Sequence, residues 1–449
     1  MNIVIVGGGM VGSALAGKLA GDGHDVSIIE RNPATVLDLN ESLDVQVIEG
    51  NGTIPSILRR AGVEKADFLL ATTDSDEFNI VVGMLGSAVF HVPRVGVRVR
   101  EKEHEDSFAA ICSAYPGDHF CVNPSMAAVD RIISLLNVPG ALDVVTFMDG
   151  RLLVAGVRIL PSSDFAGLLL SHIKLMFPDT PTLVTAIYRA HEWIIPHGQE
   201  EIQVGDIVYF AIAREELDSV LALVGALQDK KRHIMIAGAG RIGMEVARLL
   251  ESVDIKVVLI EEDAARARHA AEVLGKTLVI HGKMTDQALL EQEEIEQVAT
   301  FVALTPDHEE NLVSGLLAKR LGASRAFSLV DNPALANLIS EVGIDAVISP
   351  RLLAVGLTLQ HVRGGIVHSV AALLEDKVEI VEAEAVAGSR LTSGTLARVH
   401  LPRGVLVAAV RRDDQLLVPR GEYQIQAGDQ VLLITTTENA SRLDEFLSP

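Results

Sequence analysis

The sequence predicts an α/β protein composed of two doubly wound parallel-sheet domains, each followed by a small α+β domain. Short β-branched segments alternate with helical segments, which is typical of βαβ units and of a parallel sheet. Hydrophobic residues make up 49% of the chain and aromatic residues only 4%, a balance that suits parallel strands covered by helices on both faces. The pattern occurs twice along 449 residues, a length that accommodates about two to four domains.

A tandem duplication supports this organisation. Residues 2–12, NIVIVGGGMVG, return as residues 233–243, HIMIAGAGRIG. Four further features of the first repeat return in the second. Glu30 returns as Glu261, Gly50–Thr53 as Gly282–Thr285, Glu77 and Asn79 as Glu309 and Asn311, and Asn123-Pro124 as Ser349-Pro350. A second module repeats with Ala186-Ile187, Ile195-Pro196 and Gly205-Asp206 returning as Ala409-Val410, Val418-Pro419 and Gly428-Asp429.

Modules of an N type and a C type therefore alternate along the chain. The expected domains are residues 1–123, 140–226, 232–349 and 365–449, and the charged stretch Gln228–Arg232 is expected to link the two halves. In the first N-type module we expect strands at 2–6, 26–29, 45–48, 67–71 and 95–99, and helices at 10–20 and 76–88. In the first C-type module we expect strands at 152–158, 184–188 and 207–212 with a Gly-Asp turn.

The charge and the cysteines exclude several classes of protein. There are 60 acidic and 38 basic residues, so the net charge of −22 repels nucleic acid and anionic lipid. No segment reaches the roughly 18–20 consecutive apolar residues of a membrane span, and the N-terminus reads as a first strand and not as a signal peptide. Cys112 and Cys121 are expected to be buried free thiols in a reducing cytoplasm.

A glycine motif carries the strongest functional signal. In Gly7-x-Gly9-x-x-Gly12 the first glycine allows a tight turn, the second lets a pyrophosphate approach the backbone, and the third permits close packing of helix on strand. The motif follows a strand and opens a helix, which predicts a Rossmann-like dinucleotide site with phosphates at the helix N-terminus. The alternative is a glycine-rich turn without a ligand. The motif returns at Gly238, Gly240 and Gly243.

A carboxylate follows the second strand in both repeats, at Glu30 and Glu261. A carboxylate at this position hydrogen-bonds the ribose diol and repels a 2′-phosphate, so NAD is favoured over NADP. The alternative is an ordinary helix-capping residue.

The two glycine loops differ where Arg241 replaces Met10. A guanidinium beside the phosphate loop adds charge-assisted hydrogen bonds to phosphoryl oxygens, which favours ATP or ADP at the second site. The alternative is a solvated side chain in the first turn of the helix.

Further candidates lie at the ends of the fourth and fifth strands. Arg98 and Arg100 alternate with valines, so they are expected to share one face near the carboxyl end of the sheet. Arg98 is a candidate phosphate ligand, with an intersubunit salt bridge as the alternative, and the second repeat lacks the pair. Thr72, Thr73 and Asp74 are placed to contact ribose or nicotinamide, or else to cap the next helix.

Catalytic motifs are absent from the sequence. It contains no Tyr-x-x-x-Lys pair, no His-Glu-x-x-His, no Cys-x-x-Cys and no nucleophile elbow. These absences favour a nucleotide sensor over the two alternatives, an NAD-dependent oxidoreductase and a structural protein with vestigial glycine motifs.

The chain resembles the RCK (KTN) family of potassium-transport regulators. The resemblance rests on the tandem order of modules, the glycine motifs with Glu30, the Gly50–Thr53 turn, the Glu77 and Asn79 pair, and the Ile-Pro…Gly-Asp modules. Because both modules occur twice in one chain, the resemblance is to the tandem regulatory subunits of Trk potassium uptake, and it covers essentially the whole chain. It implies a cytoplasmic subunit, peripheral on the inner face of the cell membrane, that binds NAD(H) and adenine nucleotides. It further implies a ring-shaped homotetramer that gates an integral membrane potassium-transporting subunit of the TrkH or TrkG type.

The resemblance assigns nucleotide-binding residues but no catalytic or metal-binding ones. The first site would use Gly7, Gly8, Gly9, Met10, Val11, Gly12, Glu30, Thr72, Thr73 and Arg98. The second would use Gly238, Ala239, Gly240, Arg241, Ile242, Gly243 and Glu261. Met10 departs from the arginine of many single-copy relatives, which counts against ATP at the first site.

Overall fold

The computed structural model of the protein describes residues 1–176, 182–225, 233–253, 255–332, 343–363, 367–373, 377–402, 404–436, 439, 443 and 446–447. The expected linker Gln228–Arg232 lies outside the described residues. The chain divides into two compact units. The first unit is Met1–Ala128 with Ser349–Val362, and the second is Val129–Ile348 with Arg363–Pro449.

The strands and helices of the described residues are numbered here in chain order. The strands are β1 Asn2–Val6, β2 Asp25–Glu30, β3 Gln46–Glu49, β4 Phe68–Ala71, β5 Arg94–Arg98, β6 Asp118–Val122, β7 Ala141–Phe147, β8 Leu152–Arg158, β9 Thr182–Arg189, β10 Glu192–Ile194, β11 Ile207–Ala213, β12 His233–Ala237, β13 Lys256–Glu261, β14 Leu278–His281, β15 Val298–Ala303, β16 Arg325–Leu329, β17 Ala346–Ile348, β18 Val367–Ala372, β19 Val378–Glu384, β20 Val405–Arg412, β21 Gln415–Leu417 and β22 Gln430–Thr436. The helices are α1 Met10–Gly21, α2 Pro33–Ser42, α3 Pro55–Arg60, α4 Asp76–Met84, α5 Lys102–Cys112, α6 Pro124–Leu136, α7 Leu170–Met176, α8 Leu217–Val224, α9 Arg241–Leu250, α10 Ala264–Val273, α11 Gln287–Gln292, α12 His308–Arg320, α13 Pro350–Arg363 and α14 Leu396–Val399.

The predicted fold class is confirmed. The first unit contains a parallel sheet with strand order β3-β2-β1-β4-β5-β6, and the second unit contains its repeat with order β14-β13-β12-β15-β16-β17. The apolar runs of β1 and β4 are buried along their length, as expected for strands covered on both faces. The order reverses beside β1 and β12, where such sheets bind ligands at the carboxyl ends of their strands.

The strands expected in the first N-type module are confirmed to within two residues, but each sheet has a sixth strand that was not predicted. Strand β6 has the sequence DHFCV, whose polar start, Asp118-His119, gives a weak hydrophobic pattern. The expected helix at 76–88 ends at Met84 and continues as one wide π turn at Leu85–Val89.

Local capping residues explain where several helices begin. Asn32 caps α2 by accepting a hydrogen bond from the Ala34 amide at 3.0 Å, and Ser75 caps α4 by accepting from the Phe78 amide at 3.1 Å. Asp263 caps α10 in the second repeat. Such side chains satisfy amides that the first helical turn leaves without a partner.

The two C-type modules lie in the second unit as antiparallel five-stranded sheets, β10-β9-β11-β8-β7 and β18-β19-β22-β20-β21. The predicted strands at 152–158, 184–188 and 207–212 are confirmed, whereas β7 and β10 were not predicted. The repeated Gly-Asp turns have the same structure, because glycine takes a positive φ at Gly205 and Gly428. The buried aspartate that follows each glycine pairs with an arginine, Arg189 to Asp206 at 2.8 Å and Arg412 to Asp429 at 2.7 Å.

Helix α13, from the second half of the sequence, packs on the first sheet within the first unit. Ala354, Leu359 and Val362 join the core formed by α1 and the sheet. The His361 imidazole stacks on the Phe120 ring, with 3.6 Å between the centroids and 8° between the planes. The Arg94 guanidinium donates to the backbone oxygen of His361 at 3.3 Å.

We expect α13 to detach more readily in acid. Burial lowers the pKa of His361 from its ordinary value of 6.5, and the Asp118 carboxylate opposes this shift without cancelling it; the nearby Arg94 cation gives no support to the protonated form. The stability contribution is therefore present above about pH 6.5 and is lost as pH falls through the lower, folded pKa, by up to about 1.4 kcal/mol per pH unit. Amide-exchange protection of residues 350–362 should fall between pH 7.5 and pH 5.5. His361→Phe should keep the stack and lose this dependence; equal dependence in both proteins would contradict the assignment.

Candidate nucleotide-binding sites

Both glycine loops have the same strained geometry. Gly7 and Gly238 adopt φ of +108° and +106°, a region that side chains disfavour. A Cβ atom on Gly12 would overlap the Gly7 carbonyl oxygen, and a Cβ on Gly243 would overlap that of Gly238. The first and third glycines of each motif are therefore required by the fold itself.

The middle glycines have a different role. Among the described residues, no heavy atom outside the two chain neighbours lies within 4 Å of a Cβ placed on Gly9 or on Gly240. Each caps its helix without a side-chain hydrogen bond to the first-turn amides of α1 or α9. Open space next to helix-terminal amides is what a phosphate group requires. The side chains of Met10 and Arg241 are exposed beside these loops.

The two predicted carboxylates bind their own glycine loops. Glu30 accepts hydrogen bonds from the amides of Gly8, Arg31 and Asn32, each at 2.7 Å. Glu261 accepts from the Ala239 amide at 2.7 Å and the Asp263 amide at 2.9 Å. Asn32 and Asp263 cap the helices that follow. Glu30 and Glu261 are therefore not the helix-capping residues that the alternative interpretation assumed.

Thr72 and Thr73 lie at the carboxyl end of β4, but neither caps α4. The hydroxyl of Thr72 donates to the Gly7 carbonyl at 3.2 Å. The hydroxyl of Thr73 donates to the Asn79 side chain at 2.7 Å. Thr72 therefore joins the glycine loop to the end of the fourth strand, and Thr73 joins that end to helix α4.

Asn79 is a residue of the site whose role the sequence did not reveal. Its amide group donates to the Thr73 carbonyl at 3.0 Å and to the Arg98 carbonyl at 2.8 Å, so it ties the ends of β4 and β5 together. Asn311 makes the equivalent bonds to Thr305 and Leu329. The sequence signal for Asn79 was its return as Asn311 in the second repeat. That repetition marked the residue, but the sequence did not show which groups its side chain would bond.

Arg98 and Arg100 each pair with an aspartate of their own unit. Arg98 contacts Asp74 at 3.3 Å and Arg100 contacts the buried Asp76 at 3.1 Å. The buried Nε atom of Arg98 has no hydrogen-bond partner among the described residues. Leu329 ends β16 where Arg98 ends β5.

Three of the first-repeat candidates line one small cleft within the first unit. Val11, Thr72 and Arg98 line it from the loop and the sheet, and Ala354 and Thr358 line it from α13. The α13 residues were not predicted, because they are more than 250 positions away in the sequence. In the parts of the chain that the structure describes, no cluster of His, Cys, Asp or Glu could hold a metal ion, and no helix is long and apolar enough to cross a membrane.

Comparison with known families matches every module of the chain. The TrkA-N domain model matches residues 3–114 and 234–350, and the TrkA-C domain model matches residues 154–225 and 380–448. The Trk system potassium uptake protein TrkA of Azorhizobium caulinodans is 33% identical, over 99% of this chain and 98% of its own length. That of Halomonas elongata is also 33% identical, over 98% and 97%.

Solved structures share the fold. The GsuK channel bound to NAD has a TM-score of 0.62 at 20% identity, over all of this chain and 79% of its own. The structure of GsuK bound to ADP has a TM-score of 0.50 at 16% identity, and the match covers 80% of this chain and 68% of the GsuK chain.

We expect Gly12→Ala and Gly9→Ala to separate folding from ligand contact. The Gly12 methyl group would meet a backbone carbonyl that cannot move freely, so the free energy of unfolding of the first unit should fall by about 1–3 kcal/mol or more. The Gly9 methyl group would enter open space, so its effect should stay within about 0.5 kcal/mol. Thermal denaturation followed by circular dichroism measures both variants. Equal destabilisation by Gly12→Ala and Gly9→Ala would contradict the close approach of Gly12 to the Gly7 carbonyl.

Proposed function

Because the chain belongs to the TrkA family of Trk system potassium uptake proteins, we propose that it is a nucleotide-binding regulatory subunit and has no catalytic activity of its own. It gates an integral membrane potassium-transporting subunit of the TrkH or TrkG type. We further propose that it acts as a homotetramer, peripheral on the cytoplasmic face of the cell membrane, with domains at 1–123, 140–226, 232–349 and 365–449.

The observation that carries this proposal is the pair of open glycine loops. Each combines a helix N-terminus, open space at the middle glycine, and a carboxylate at the end of the second strand. These are the groups that bind a pyrophosphate and a ribose diol. A protein that had kept the loops only for folding would have no need of the open middle position.

We assign NAD(H) to the first site and ATP or ADP to the second. The first-site ligands are Gly7–Gly12, Glu30, Thr72, Thr73 and Arg98, where Glu30 is half-buried and can still reach a ribose. The second-site ligands are Gly238–Gly243 and Glu261, with Arg241 supplying charge for additional phosphate. Two fold neighbours, the GsuK channel bound to NAD and GsuK bound to ADP, support both classes of ligand.

Gating requires that a nucleotide bind two conformations of the subunit with different affinity, because a ligand that binds both equally shifts no equilibrium. A coupling of about 1–3 kcal/mol between nucleotide and transporter would be ordinary. Helix α13 lines the cleft that Val11, Thr72 and Arg98 share, so a nucleotide that reached these residues would lie beside a segment from the second half of the sequence.

Isothermal titration with NADH tests the first site. We expect the full chain to bind NADH and Gly9→Asp to weaken that binding by at least about tenfold, because a carboxylate would face the phosphates. The backbone at Gly9, with φ −68° and ψ −171°, accepts an aspartate without strain. Gly240→Asp is the matched control and should leave NADH binding at the first site intact. If neither NADH nor ATP bound at millimolar concentration, the proposal would be wrong.

Co-purification tests the transporter partner. We expect the full chain to be retained by a tagged Trk-type membrane subunit in detergent, and ATP or NADH to change the amount retained. A shift is expected because nucleotide and transporter act on one conformational equilibrium. The Gly9→Asp and Gly240→Asp variants show which nucleotide acts through which loop. Absence of retention with and without nucleotide would contradict the partner assignment.

A further inference from the structure

The two ribose-binding carboxylates differ in one contact. In the second unit, the Arg266 guanidinium lies 2.8 Å from Glu261 Oε1. In the first unit, Glu30 accepts three hydrogen bonds, and all three come from neutral backbone amides. The bond from Arg31 is one of them and comes from its backbone amide, not from its guanidinium. The residue five positions after the carboxylate is Arg266 in one repeat and Thr35 in the other. At the position five residues after the carboxylate, an arginine is therefore present only in the second site.

The ion pair changes which group a ribose would meet. The side chain of Glu261 is 4% exposed and that of Arg266 is 56% exposed. Glu30 is half-buried, so its carboxylate remains open to solvent. A ligand entering the first site would meet a carboxylate held by backbone amides, with the exposed Arg31 next to it in the sequence, whereas a ligand entering the second site would meet a carboxylate paired with a guanidinium.

The adjoining strand ends also differ between the two sites. Glu49 is the register partner of Glu30, and His281 is the register partner of Glu261. Lys283 lies two residues beyond His281 and pairs with Glu262 at 3.0 Å. Beside the ribose carboxylate, the first site thus has the carboxylate of Glu49, whereas the second site has the imidazole of His281 and the ion pair of Lys283 with Glu262.

We propose that Arg266 sets the ligand specificity of the second site, so that this site accepts adenine nucleotides with a 2′-phosphate, of the NADP class, which the first site rejects. A carboxylate without a cationic partner repels a 2′-phosphate, whereas a nearby arginine accommodates it through charge-assisted hydrogen bonds. The exposed guanidinium can turn from Glu261 toward a phosphate, while two backbone amides continue to hold the carboxylate. This inference rests on the proposed function, because it assumes that both loops bind nucleotides.

Full-length variants with one loop blocked separate the two sites. NADP⁺ and NAD⁺ are titrated calorimetrically into Gly9→Asp, which leaves the second site, and into Gly240→Asp, which leaves the first. We expect NADP⁺ to bind Gly9→Asp with an affinity at least equal to that of NAD⁺. We expect Gly240→Asp to favour NAD⁺ by about tenfold or more.

A reciprocal exchange tests the residue itself. In the Gly9→Asp background, Arg266→Ala should weaken NADP⁺ binding by about tenfold while NAD⁺ binding is retained. Arg268→Ala removes the same charge from another exposed position of α10 and should leave the preference unchanged. In the Gly240→Asp background, Thr35→Arg should confer NADP⁺ binding, and this gain cannot result from misfolding.

The outcomes distinguish this inference from the proposed function. If NAD⁺ or ADP bound to the second site and NADP⁺ did not, the inference would be overturned and the proposed function would stand. An unchanged preference in both Arg266→Ala and Thr35→Arg would also overturn it. If no nucleotide bound to either loop of the unmodified chain, both would fall together.

Discussion

The close approach of the third glycine to the carbonyl of the first is the constraint on which each nucleotide-binding module depends. Because Gly12 lies against the Gly7 carbonyl and Gly243 against that of Gly238, helices α1 and α9 begin directly at the ends of their central strands. The carboxylates of Glu30 and Glu261 then bind loop amides and hold each turn to the second strand. The same contacts place each helix N-terminus beside the open space at the middle glycine, a setting that stabilises an anion.

A second set of bonds completes the frame. Asn79 and Asn311 join the end of the fourth strand to the end of the fifth in their respective repeats, with nearly identical partners and distances. The buried amide has its polar groups satisfied in both cases, which makes these ties costly to lose. Duplication has therefore preserved the parts that fix the backbone around each site.

The positions that would face a ligand have diverged on this common frame. Arginine replaces methionine in the glycine loop, leucine replaces Arg98 at the end of the fifth strand, and Arg266 pairs with a carboxylate whose counterpart is held by backbone amides. On the proposed function, two unlike sites on one chain would let two ligands act on a single conformational equilibrium. Such a chain would respond to the ratio of nucleotides as well as to the amount of either one.

The sequence by itself determined the duplication, the alternating strands and helices, and the glycine loops, because hydrophobic period and glycine spacing are local properties of the chain. It also placed Glu30, Thr72, Thr73 and Arg98 at strand ends, which meet at one edge of a parallel sheet. It did not show the sixth strands, the role of Asn79 or the pairing of Arg266 with Glu261. Only the tertiary structure decided that α13 would cover the first cleft, since that contact joins segments far apart in sequence whose shared surface no local pattern records.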